Sequence, residues 1–78
     1  MLEKFYILFT METVITKETI KGYFTGYFDV PGYPKLPAMT LHPANAVCIT
    51  GRQECFDQIK ELMACPYVLS ARAILINQ

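Results

Sequence analysis

The chain has 78 residues, of which 53% are hydrophobic and 18% charged, and its formal net charge is zero. That length suits one domain, burying roughly 63% of the surface its unfolded chain exposes. The apolar balance excludes intrinsic disorder, and the neutral charge excludes long-range steering toward nucleic acid or an anionic membrane.

Residues 3–14 read as a first strand, with Phe5, Ile7, Phe9 and Met11 on one face and Tyr6, Leu8 and Thr10 on the other. The apolar run from Phe5 to Phe9 is far too short to span a bilayer. It also lacks the basic start and small-residue cleavage site of a signal peptide, so a cytoplasmic protein is expected. Thr16 to Thr19 is polar and suits a turn. Ile20 to Phe28 follows as a second strand, expected to pair with the first as an antiparallel hairpin. Phe24 and Phe28 share one side of it with Gly22 and Gly26, while Tyr23, Thr25 and Tyr27 take the other. The two glycines weaken the strand and point to a bulge or to a close approach of something to the backbone.

Val30 to Pro43 is a loop by composition, because Pro31, Pro34, Pro37 and Pro43 oppose a helix and a central strand. Ala44 to Ile49 recovers strand character. Thr50 to Ala64 is the one convincing helix. Thr50 and Gln53 have capping-box spacing, and Cys55, Phe56, Ile59, Leu62 and Met63 form an apolar stripe expected to face the sheet. Pro66 ends it. Tyr67 to Ile76 is a last strand, with Leu69, Ala71, Ala73 and Leu75 on the helix side and Val68, Ser70, Arg72, Ile74 and Ile76 on the other.

The fold class expected over residues 1–78 is therefore α+β. It is a small, mainly antiparallel sheet of three to four strands with one helix on one face, in the order β-β-β-α-β. The uncovered face would carry Tyr6, Leu8, Tyr23, Tyr27, Ile74 and Ile76, which is too apolar to be left to water without a reason.

Few constellations carry chemistry. Lys21 to Tyr27 invites comparison with the RNA-recognition signature of basic-Gly-aromatic-small-aromatic. Phe24 stands where the small residue belongs and Thr25 where the second ring belongs, so the match fails. Pro31, Pro34 and Pro37 repeat a Pro-x-x-Pro spacing that favours polyproline II but also suits a stiff loop packed on its own sheet. Thr50, Gly51 and Arg52 lie at a strand-to-helix junction, a place for an anion or for a plain helix cap. His42 with Cys48, Cys55 and Cys65 lacks the short-range ligand pairs of a zinc site, and the cysteines read as free buried thiols. No metal, no cofactor and no enzyme activity are expected. The carboxylates are scattered, and no group stands out to orient a Cys48–His42 pair.

Arg72 interrupts an apolar strand. It is either buried against a carboxylate such as Asp29 or Glu12, or it anchors an interface. The expected function is a non-catalytic module that binds and modulates a larger protein partner, as a homodimer. That is an analogy of class with small regulators of phages and mobile elements. The expected contact residues are Tyr23, Tyr27, Tyr33 and Arg72. The other reading is a small-ligand or single-stranded nucleic-acid binder using the same tyrosine face, against which the zero net charge weighs.

Overall fold

The computed structural model describes residues 2–76. Strands β1 (Lys4–Glu12) and β2 (Thr19–Phe28) form the expected antiparallel hairpin. Thr13 closes the turn between them, its N–H donating to the Glu18 carbonyl at 2.8 Å. β3 (Leu36–Thr40) follows, then a 3-10 turn at Pro43–Asn45, β4 (Ile49–Thr50), helix α1 (Arg52–Met63) and β5 (Val68–Leu75). All pairings are antiparallel. The fold is α+β, with one helix on one face of the sheet.

β1 is the central strand. Leu8 pairs with Tyr23 of β2 and with Arg72 of β5, so those two strands lie on its opposite edges. Phe5 likewise pairs with Ile49 and Leu75, which places β4 in line with β2. Because β1 alternates strictly, Phe5, Ile7, Phe9 and Met11 all point to the helix side and all are buried. Cys55 and Leu62 of α1, Phe24 of β2 and Val68 of β5 complete that core.

Two segments depart from the sequence expectation. The proline segment over 30–43 contains β3, paired with β2 from Tyr23–Thr40 to Phe28–Leu36. β3 sits at the sheet edge, the one strand position that tolerates a residue such as Pro37 with no N–H. Ala44 to Ile49 is not one strand: Ala44 and Asn45 finish the 3-10 turn, residues 46–48 form no regular element, and only Ile49 and Thr50 pair with β1. That pairing takes Thr50 out of the helix cap. Gly51 is the N-cap, at φ 93°, and no side chain caps the helix. Gln53 instead donates to Asp57 Oδ1 at 2.9 Å.

Two bulges decide where side chains point. One lies between Phe24 and Gly26 of β2, where Gly26 has φ 135°. The other shifts the β1–β5 register, so that Thr10 pairs with Ser70 but Met11 with Val68. Each inserts one residue, and one residue flips every later side chain to the other face. Val68 is therefore buried and Leu69, expected on the helix side, is 52% exposed.

The helix stripe is also narrower than expected. Cys55 and Leu62 are buried and Ile59 is partly so, but Phe56 is 57% and Met63 46% exposed. α1 lies mainly over β5, with fewer contacts to β1 and β4. A sheet that ends at β5 cannot cover a wider stripe.

Candidate binding face

On the side of the sheet away from α1, register builds rows across three strands. Tyr23 of β2, Leu8 of β1 and Arg72 of β5 form one row, and Lys21, Thr10 and Ser70 the next. Tyr6 lies beside Ile74 in a third. Tyr6 and Tyr23 meet edge to face, with ring centroids 6.0 Å apart at 72°. That geometry suits the positive ring edge of one and the negative face of the other. Leu8, Thr10, Lys21, Ser70, Ala71 and Arg72 line a shallow depression of about 290 Å³. Arg72 and Lys21 are exposed. The one ion pair found among the described residues lies elsewhere, between Arg52 and Glu3. Arg72 is therefore not buried against Asp29 or Glu12.

Tyr27, expected beside Tyr23, is not on this face. The bulge before Gly26 turns it to the helix side, where the Gln58 side-chain amide donates to its hydroxyl at 2.7 Å. Its ring meets Phe24 with centroids 5.2 Å apart. Burial, and then the nearby Glu61 charge, hold the Tyr27 hydroxyl above the ordinary tyrosine pKa. Tyr33 is 43% exposed in the turn where its N–H donates to the Val30 carbonyl at 3.0 Å. That turn lies beyond the Phe28–Leu36 pair, whereas Tyr23 pairs with Thr40 at the other end of β3. Structure thus brings Tyr23 and Arg72 together and separates Tyr27 and Tyr33 from them. Tyr6 and Ser70 lie on this face as expected, and Lys21 joins it. Lys21 was legible from simple alternation with Tyr23.

The remaining candidates resolve in simple ways. At the helix start, Glu3 accepts from the Arg52 guanidinium, and the Gly51 N–H donates to the Glu3 carbonyl at 2.7 Å. The Arg52 hydrogen bond holds the Glu3 carboxyl below its ordinary range, and Glu3 raises Arg52 in turn. An own-chain carboxylate therefore meets the charge that an outside anion would need. Cys55 is buried, Cys65 half-buried and Cys48 exposed, so the expectation of three buried thiols fails at Cys48, which precedes the short β4 on a surface segment. Burial pushes the Cys55 thiol up, away from the reactive thiolate. Among the described residues no three His, Cys, Asp or Glu side chains cluster as metal ligands. No helix among them is long and apolar enough to cross a membrane.

Comparison of the chain with protein-family models, with curated proteins and with solved structures finds no match.

Proposed function

We propose that the protein is a non-catalytic binding module that acts as a homodimer and modulates a larger protein partner, which it meets through the outer face of its sheet. The observation that carries this reading is the Tyr23–Leu8–Arg72 row with Tyr6 against Tyr23. It is a continuous surface of aromatic, aliphatic and guanidinium groups on three rigid strands, on the side that α1 leaves open. Tyr and Arg are enriched at binding hot spots, Tyr for its large contact area on few rotatable bonds and Arg for its planar guanidinium with several hydrogen-bond donors. The strands fix the backbones that carry them before any partner arrives, so no backbone ordering is needed on binding.

The test is affinity capture from the source cell with the parent chain and with Arg72→Glu. Arg72 is exposed, so the variant should fold. A partner retained by the parent and lost by folded Arg72→Glu supports the reading, and one held equally by both removes it.

A second reading has its own observation. Lys21 and Arg72 flank the hydroxyls of Thr10 and Ser70, a set that suits a phosphate, next to rings that suit bases. Titration with single-stranded oligonucleotides separates the two. Affinity that falls steeply with salt favours nucleic acid, and no binding at low salt leaves the protein-binding reading alone.

A further inference from the structure

The sheet has two very different outer edges. β3 is five residues long and carries Pro37. A short edge strand with proline resists further pairing. β5 is eight residues long, has no proline, and pairs only with β1 among the described residues. The Ile76 N–H donates to the Lys4 carbonyl at 2.9 Å. Main-chain groups alternate along a strand, so those of Ala71, Ala73 and Leu75 point away from β1. This edge offers its outward main-chain groups to an extended strand.

The helix layer is unfinished on the same side. Gln58 reaches Tyr27 of β2, which fixes the flank of α1 that faces inward across the sheet. At 100° per residue, Phe56 and Met63 fall on the opposite flank, over the β5 edge. Phe56 indeed lines an open, mainly apolar groove of about 270 Å³ with Phe5, Arg52, Cys55, Ile59 and Ala73. Phe56, Met63 and Leu75 are all about half exposed there.

From these observations we infer that β5 pairs antiparallel with β5 of a second copy, about a two-fold axis at Ala73, with each Phe56 ring seated near the axis in the groove above the joined strands. A lone peptide strand would satisfy the edge but leave Phe56 and Met63 uncovered. The occupant must bring both a strand and an apolar helix flank, in the same two layers, and a second copy brings both. Such an interface is self-complementary. Past its bulge, the strand runs from Ser70 to Leu75, and the Ile76 N–H bond to Lys4 carries the pairing one residue further, which puts Ala73 at its midpoint. Pairing about that residue sets Arg72 against Ile74 of the other copy and Ala71 against Leu75, so no like charges meet. The small Ala73 side chains leave room for the rings above them. This inference rests on the self-association in the reading above, but not on its outer-face contact surface, which stays free on both copies.

The experiment is light scattering with amide hydrogen exchange on the full chain. The parent should have twice the 8.9 kDa chain mass, with the amides of Ala71, Ala73 and Leu75 protected. Phe56→Glu should halve the mass, keep the parent's circular dichroism and expose those three amides. Leu75→Lys is the second variant, should Phe56→Glu not fold, and should do the same. Tyr23→Glu, on the other face, should leave the mass at the parent's value whether or not it removes a partner. A monomeric parent would overturn the inference. So would a dimer whose three β5 amides exchange freely, a dimer that survives folded Phe56→Glu or Leu75→Lys, or a monomer produced by folded Tyr23→Glu.

Discussion

Tyr23 and Tyr27 sit four residues apart on one strand and do opposite things. Tyr23 lies before the bulge, on the outer face, against Tyr6 and in register with Leu8 and Thr40. Tyr27 lies after it, on the inner face, hydrogen-bonded to α1 and packed on Phe24. The residue type is the same and the local composition nearly so. The difference is one inserted residue at Thr25–Gly26, which spends one tyrosine on holding the fold together and leaves the other for contact. The same division runs through the whole sheet, whose inner face is buried under α1 and whose outer face α1 leaves uncovered.

The largest expected effect comes from the inner face at its best-packed point. Phe9 is 1% exposed, so Phe9→Ala should cost about 3–5 kcal/mol and leave little or no folded protein, as read by urea denaturation. The mirror change on the outer face, Leu8→Ala, should cost clearly less, because Leu8 is half-buried. Equal losses would dissolve the distinction between the faces.

The two strand glycines come next, by different mechanisms. A Cβ at Gly22 would meet Met39 Sδ at 2.9 Å and the Thr40 carbonyl oxygen at 3.0 Å. The sulfur can swing aside and the backbone cannot, so Gly22→Ala should cost about 1–3 kcal/mol by overpacking. At Gly26 a Cβ would meet nothing within 4 Å, but φ is 135°. Gly26→Ala should cost about 1–3 kcal/mol from backbone strain alone. It should also weaken the register shift, seen as loss of the nuclear Overhauser contact between Tyr27 and Gln58.

A smaller effect is expected at Tyr27 itself. Tyr27→Phe keeps the ring and removes the bond from Gln58, for about 0.5–1.5 kcal/mol. Its pH dependence has a definite sign. The folded pKa is raised, so the fold favours the neutral hydroxyl. That contribution is fully present below the unfolded tyrosine value of about 10 and is lost as pH rises through the folded value. Parent stability should therefore fall more steeply than that of Tyr27→Phe in alkaline solution. Parallel curves would place the hydroxyl in water. The smallest effect is expected at Phe56. With its ring 57% exposed, Phe56→Ala should cost no more than about 1 kcal/mol in the isolated chain, despite its place in the helical stripe.

Periodicity made much of this legible in the sequence. β1, β2, α1 and β5 follow from alternation or helical spacing, and the glycines of β2 correctly signalled a bulge and a close approach, Gly26 supplying the first and Gly22 the second. β3 was hidden because proline argues against a strand everywhere except at an edge, and edge position is a property of the assembled sheet. The placements of Tyr27 and Leu69 were hidden for a related reason. A bulge changes no composition, yet it reverses every facing after it. The helix cap was misread because Thr50 pairs with Lys4, a contact 46 residues distant in sequence. For the candidate site, Tyr23 and Arg72 were within reach because both lie in regular stretches of strand. Tyr27 was not, because the bulge stands between it and the residues that set the register.

The most direct test crosses the two tyrosines. Tyr23→Glu and Tyr27→Phe are compared with the parent for unfolding midpoint in urea and for retention of the captured partner. Tyr23→Glu should stay folded, at the cost of its edge-to-face contact with Tyr6, and lose the partner, whereas Tyr27→Phe should lower the midpoint and keep the partner. The reverse pattern, or a folded Tyr23→Glu that still holds the partner as the parent does, would contradict the account.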